Sequence, residues 1–229
     1  MYIKKILLAI VFIGLIVASI FAYYVYKTMM DANTAFKNDT AYVFIATNST
    51  YDNVREQLEP LLKDINTFDA LAKQKKYDVN VKAGRYAIKK GMNNNDIINS
   101  IRSINLPIRL SFNNQETLEK LAGRVASQIE ADSISVLKAM KDSAYLAEND
   151  FTNETALGMY LPNSYEFFWN TSAEQFRERM FNEYNRFWNT TRNEKAKALG
   201  LSRDKVIALA SIVYEESKQA SEQPRIAGV

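Results

Sequence analysis

"AGRYAIKKGMNNNDIINSIRSI", Ala83 to Ile104, reads as strand, turn and helix in succession. Arg85 to Ile88 suits a short strand, Lys90-Gly91 a turn, and Ile97, Ile98 and Ile101 fall on one helical face. Upstream, "AYVFIA" (Ala41 to Ala46) predicts a second strand. "NSTYDNVREQLEPLLKDI" then predicts a helix capped by Thr50 or Asp52, with Val54, Leu58, Leu61 and Leu62 on one side. "NTFDALAKQKKY" predicts another helix, and "LPIRLSF" (Leu106 to Phe112) a closing strand. Residues 41–112 thus form a small α+β unit.

From Asn113 the pattern turns mainly helical. "NQETLEKLAGRVASQI", "DSISVLKAM", "AEQFRERMFNEYNRFW" and "SRDKVIALASIVYEES" each predict a helix, the last capped by Ser202. "LGMYLPNSYEFFWNTS" (Leu157 to Ser172) predicts an aromatic-rich loop around Pro162. Its Phe167 and Phe168 suit core packing. Its Tyr165 and Trp169 suit either packing or stacking against a sugar.

At the other end, Ile6 to Tyr26 carries no charge and is about 30 Å long as a helix. Lys4 and Lys5 precede it, and Tyr23, Tyr24 and Tyr26 form an aromatic belt at its far end. Residues 1–28 therefore read as an uncleaved membrane anchor with a cytoplasmic N-terminus, followed by a polar spacer over 29–40. "ASIFA" (Ala18 to Ala22) is the nearest match to a signal-peptidase site.

Of 29 basic residues, Lys4, Lys5 and Lys27 flank this span, and the rest equal the 26 acidic ones. No basic field for nucleic acid is left. The chain has neither Cys nor His, which excludes a disulfide framework, Ser-His or Cys-His catalysis, and zinc sites of the usual kind. Chemistry falls to carboxylates, Tyr, Lys, Ser or Thr, with no metal or cofactor implied.

Among the carboxylates Glu216 stands out. It follows Val213 and Ile212 by three and four residues and Leu209 by seven, in the middle of an apolar stripe, while Glu215 points elsewhere. A helix apolar on nearly every side is expected to be buried. Burial and the negative end of the helix dipole would then raise the Glu216 carboxyl into the range of a general acid. The alternative is a structural acid paired with Lys205, Lys218 or Arg225.

Three stretches together resemble the YceG-like family, the endolytic murein transglycosylases. "LASIVYEESKQASEQPRIAGV" (Leu209 to Val229) resembles its Ala-Ser-Ile-Val-Glu-Lys-Glu-Thr signature with a later Ser-Glu and Ile-Ala-x-Val. "VKAGRYAIKKGMNNNDIINSI" resembles its Lys-Ala-Gly-x-Tyr strand and helix, and "LGMYLPNSYEFFWNTS" its Gly-Tyr-Leu-Phe-Pro-Asp-Thr-Tyr loop. The resemblance implies an α+β protein. It would have an N-terminal transmembrane helix, a LysM-like subdomain over 41–112, and the first part of a catalytic domain over 113–229.

The implied enzyme sits in the inner membrane and faces the periplasm. It cleaves MurNAc–GlcNAc bonds in nascent peptidoglycan glycan strands to leave 1,6-anhydro-MurNAc ends, and works beside peptidoglycan synthases. The family's acid falls on Glu216, the residue already singled out by the helical stripe, and its substrate-binding positions on Asn163, Tyr165, Ser221 and Glu222. Tyr214 stands where the family has its first Glu, Glu215 replaces the intervening Lys, and Asn163 replaces an Asp. The chain stops at Val229, where the family continues, so a fragment of a longer protein is expected. A muramidase-type hydrolase, and a non-catalytic peptidoglycan-binding or division-scaffold protein, are the alternatives.

Overall fold

The structure is a computed structural model, and it describes residues 2–228. The fold is α+β and divides into two compact units. One comprises the chain up to Pro107 together with Phe168–Asn170; the other comprises Ile108–Phe167 and the chain from Thr171.

The first unit begins with α1 (Tyr2–Met30), exposed along its apolar stretch and, over Lys4–Met30, long and apolar enough to cross a membrane. Then come β1 (Thr40–Ile45), α2 (Tyr51–Leu58), α3 (Ile65–Gln74), β2 (Gly84–Lys89) and α4 (Asn94–Ser103). β1 and β2 pair antiparallel, with Tyr42 opposite Ala87 and Phe44 opposite Arg85. Alternation along the strands sends Val43, Ile45, Tyr86 and Ile88 inward against Val54, Leu58, Phe68 and the α4 isoleucines. Polar caps start α2, α3 and α4. Thr50 accepts from Asn53 N in a reciprocal capping box, Asp64 accepts from Asn66 N and Thr67 N, and Asn93 accepts from Asp96 N. Leu61 leaves the expected helix because Pro60 starts a 310 turn, Glu59–Leu61.

Two expectations need correction here. Residues 29–40 are not a free spacer. Asn33 and Thr34 are buried, and Asn33 Nδ2 donates to Asp64 O (2.8 Å) and to Asn94 Oδ1 (2.7 Å). Asn94 Nδ2 in turn donates to Thr28 O near the end of α1 (3.1 Å). The reason is polar satisfaction: these short amides complete one another in a buried network that joins α1 to α3 and α4.

Leu106–Phe112 does not close the first sheet either. It forms β3 (Pro107–Phe112), which pairs with β4 (Asn163–Phe168), the segment expected to be a loop. In β4, Tyr165 and Phe167 point into the core and Phe168 is half exposed, contrary to the expectation that Phe168 packs inside.

The second unit contains this sheet with α5 (Leu118–Ala126), α6 (Ser133–Met140), α7 (Ser143–Glu148), α8 (Ala173–Phe187), α9 (Thr190–Ala198), α10 (Arg203–Glu216) and α11 (Gln223–Ile226). Leu121, Val125, Val136, Met140, Phe176 and Met180 pack in one core. Tyr160 stacks on Phe176 at 6.0 Å inside it. Ser202 occupies the α10 N-cap position with extended dihedrals but makes no side-chain capping bond.

Candidate active site

α10 is held at its beginning. Val206 and Ile207 pack against the core, and Arg203 Nε donates to Asn193 Oδ1 at 2.9 Å. The 310 turn Ala156–Met159, part of the Leu157–Ser172 motif, meets the same helix: a Cβ at Gly158 would lie 3.3 Å from the Ile207 side chain. Glycine there lets the turn approach α10 closely. Toward its end the helix stands clear. Leu209 is 39% and Ile212 59% exposed, and Val213 is the buried residue of α10.

Glu216 is the last residue of this helix, and it is exposed. The expected burial is therefore absent, because the apolar stripe of Leu209 and Ile212 has no covering element among the described residues. The alternative, an ion pair of Glu216 with Lys205, Lys218 or Arg225, is absent too among the described residues. Lys218 Nζ pairs with Glu215 Oε1 at 2.9 Å and lies 3.6 Å from the Tyr214 ring centroid. Among the described residues the Glu216 carboxylate has no ion pair or hydrogen-bonded partner. It is an uncommitted acid at a helix end.

A tight turn follows. Ser217 leaves the helix in extended conformation and its Oγ donates to Glu222 Oε2 at 2.6 Å, while Gln219 N donates back to Ser217 Oγ at 3.1 Å. Gln223 Nε2 closes the turn onto Ser217 O at 3.2 Å. Glu222 is thereby folded back onto the residue beside Glu216. Ser221 lies exposed in the same turn.

Asn163 and Tyr165 form a separate group on β4. Tyr165 is 9% exposed, stacks on Phe112 at 5.9 Å and donates its hydroxyl to Leu161 O at 2.6 Å. Burial pushes its phenol up to about 12. The ring is a core element and offers no open stacking face, so Tyr165 is not the sugar contact expected of it. Asn163 is exposed and borders an open groove of about 730 Å³ with Ser111, Phe112, Asn113 and Arg124. Arg124 Nε donates to Ser111 O at 3.3 Å, which leaves the end of its guanidinium facing solvent.

Sequence reasoning missed this groove because it missed β4. The in-out alternation of Tyr165, Glu166, Phe167 and Phe168 was the available signal. No hydrogen bond among the described residues joins Asn163 to Glu216. No group of three or more Asp and Glu side chains among them could hold a metal ion.

Comparison with known proteins finds both a family and a solved structure. The sequence profile of the YceG-like family matches residues 43–229. A crystal structure of a yceG-like protein from Listeria monocytogenes matches with a TM-score of 0.49 at 22% identity, covering 82% of this chain and 67% of that one. No curated protein matches significantly.

Proposed function

This chain belongs to the YceG-like family, and from that premise we propose that it is a membrane-anchored lytic transglycosylase acting on peptidoglycan glycan strands. The observation that carries the reading is Glu216: the acid that the motif singles out stands unpaired and accessible at the end of α10. In this reading α1 holds the protein in the inner membrane with its N-terminus inside. The unit around β1 and β2 is a LysM-like holder of the strand, and peptidoglycan synthases supply that strand.

The reaction needs one carboxyl group. Protonated Glu216 donates to the glycosidic oxygen as the bond from C1 of MurNAc to that oxygen breaks. The MurNAc 6-hydroxyl attacks C1 and yields its proton to the Glu216 carboxylate. The acid is restored, no water is consumed, and a 1,6-anhydro end remains. A glycan strand laid over the exposed end of α10 would displace water from Glu216 and supply the desolvation that the free chain lacks. Ser221, Glu222 and Asn163 are assigned to holding the substrate, with Ser217 fixing Glu222.

The exposure of Glu216 favours a second reading, a glycan binder without catalysis. Mass analysis of glycan products separates the possibilities. Anhydro ends support the transglycosylase, products heavier by one water indicate a hydrolase, and unchanged strands indicate a binder.

A further inference from the structure

The helices α2, α3 and α4 cover one face of the β1–β2 sheet. Its other face carries aromatic rings in the open. Tyr42 is 50% and Phe44 40% exposed, although both lie on a strand whose alternate residues are buried. The Arg85 guanidinium lies 3.9 Å from the Tyr42 ring centroid, and Arg85 NH1 donates to Pro107 O at 3.1 Å. Trp169 meets Phe44 edge-on at 5.2 Å, and the next residue is tied down where Asn105 Nδ2 donates to Asn170 Oδ1 at 3.0 Å. Tyr42 and Phe44 thus stand exposed on one surface, the first against Arg85 and the second against Trp169.

We propose that this face is a glycan platform, which seats pyranose rings of an N-acetylated amino-sugar polymer bearing carboxylated peptides. The inference rests on the peptidoglycan reading above but names residues of the first unit, none of which belongs to the Glu216 motif. Aromatic faces accept the apolar C–H side of a sugar ring, and a contiguous exposed patch of this kind marks a binding surface. The charge fits the same occupant. The outward residues of the two strands include Arg85 and Lys89 and no carboxylate, which complements an anionic polymer. A bilayer is the less suitable occupant. α1 joins this unit at α3 and α4, which cover the opposite face of the sheet.

The test is cosedimentation of the full chain, in phosphatidylcholine nanodiscs, with purified insoluble peptidoglycan. Substituting Tyr42→Ser together with Phe44→Ser should weaken binding at least about tenfold. Arg85→Gln should weaken it less. Circular dichroism should show every variant folded, since the changed side chains are on the surface. Wild-type binding that the folded double variant retains overturns the platform and leaves the peptidoglycan reading standing. Absence of wild-type binding overturns both. If phosphatidylglycerol discs abolish binding of the wild type but not of the double variant, the face is a bilayer contact and the proposal fails.

Discussion

Gly84 shows what the Lys-Ala-Gly-x-Tyr pattern is for. Its φ is +148°, and a Cβ there would meet the Asn105 side-chain amide at 2.5 Å, while that amide's Oδ1 accepts from Arg85 N at 3.0 Å. A side chain would suffer backbone strain and break the bond that fixes the start of β2. Gly84→Ala should therefore destabilise the protein by about 2–4 kcal/mol in chemical denaturation. Gly91, at φ +86° with open space around it, is the control: alanine there costs only the conformational term, about 1–2 kcal/mol. Equal effects of the two changes would show that the Asn105 contact is unimportant.

At the scale of elements, the caps make the second unit sensitive to acid. Backbone N–H donors from Tyr145, with help from Arg177, hold Asp142 below the usual carboxylate range at the start of α7, and Ser135 N does the same for Asp132 at α6. The Lys141 ammonium holds Glu119 of α5 down to about 2. All three carboxyls are lower in the folded chain than in the unfolded one. Their contribution is complete above the unfolded values, near pH 4, and is lost as pH falls toward 2. Thermal melts should fall through that window, and Glu119→Gln with Asp142→Asn should flatten the fall. Wild-type melts that are level from pH 5 to 2 would contradict this.

The same elements show what the sequence could tell. The β1-α2-α3-β2-α4 order was legible because caps and apolar periods agree locally, as at Thr50 and at Ile97, Ile98 and Ile101. The partner of β3 was not, since strand pairing is non-local and Pro162 beside Asn163 resembles a turn. Asn33 looked like linker because its bonds to Asp64 and Asn94 span 31 and 61 residues. Position in a helical stripe located Glu216 at the end of α10. It did not determine burial, which depends on what lies against Leu209 and Ile212.

In the proposed reading the whole molecule joins an anchor, a glycan-holding unit and an acid at a helix end. The buried Asn33 and Asn94 amides tie α1 directly to the first unit, so that unit should stay at the membrane surface. Carbonate extraction of membranes should leave the protein in the pellet; recovery in the soluble fraction would remove the anchor from the account. The central claim is that Glu216 moves the proton. Mass spectrometry of glycan ends from cells expressing the protein or its Glu216→Gln variant tests it most directly. The amide keeps size and polarity but cannot donate to a leaving oxygen, so 1,6-anhydro ends should fall ~10²–10⁴-fold with the fold intact, while Glu215→Gln loses little. Anhydro ends formed at the wild-type rate by a folded Glu216→Gln protein would contradict the account.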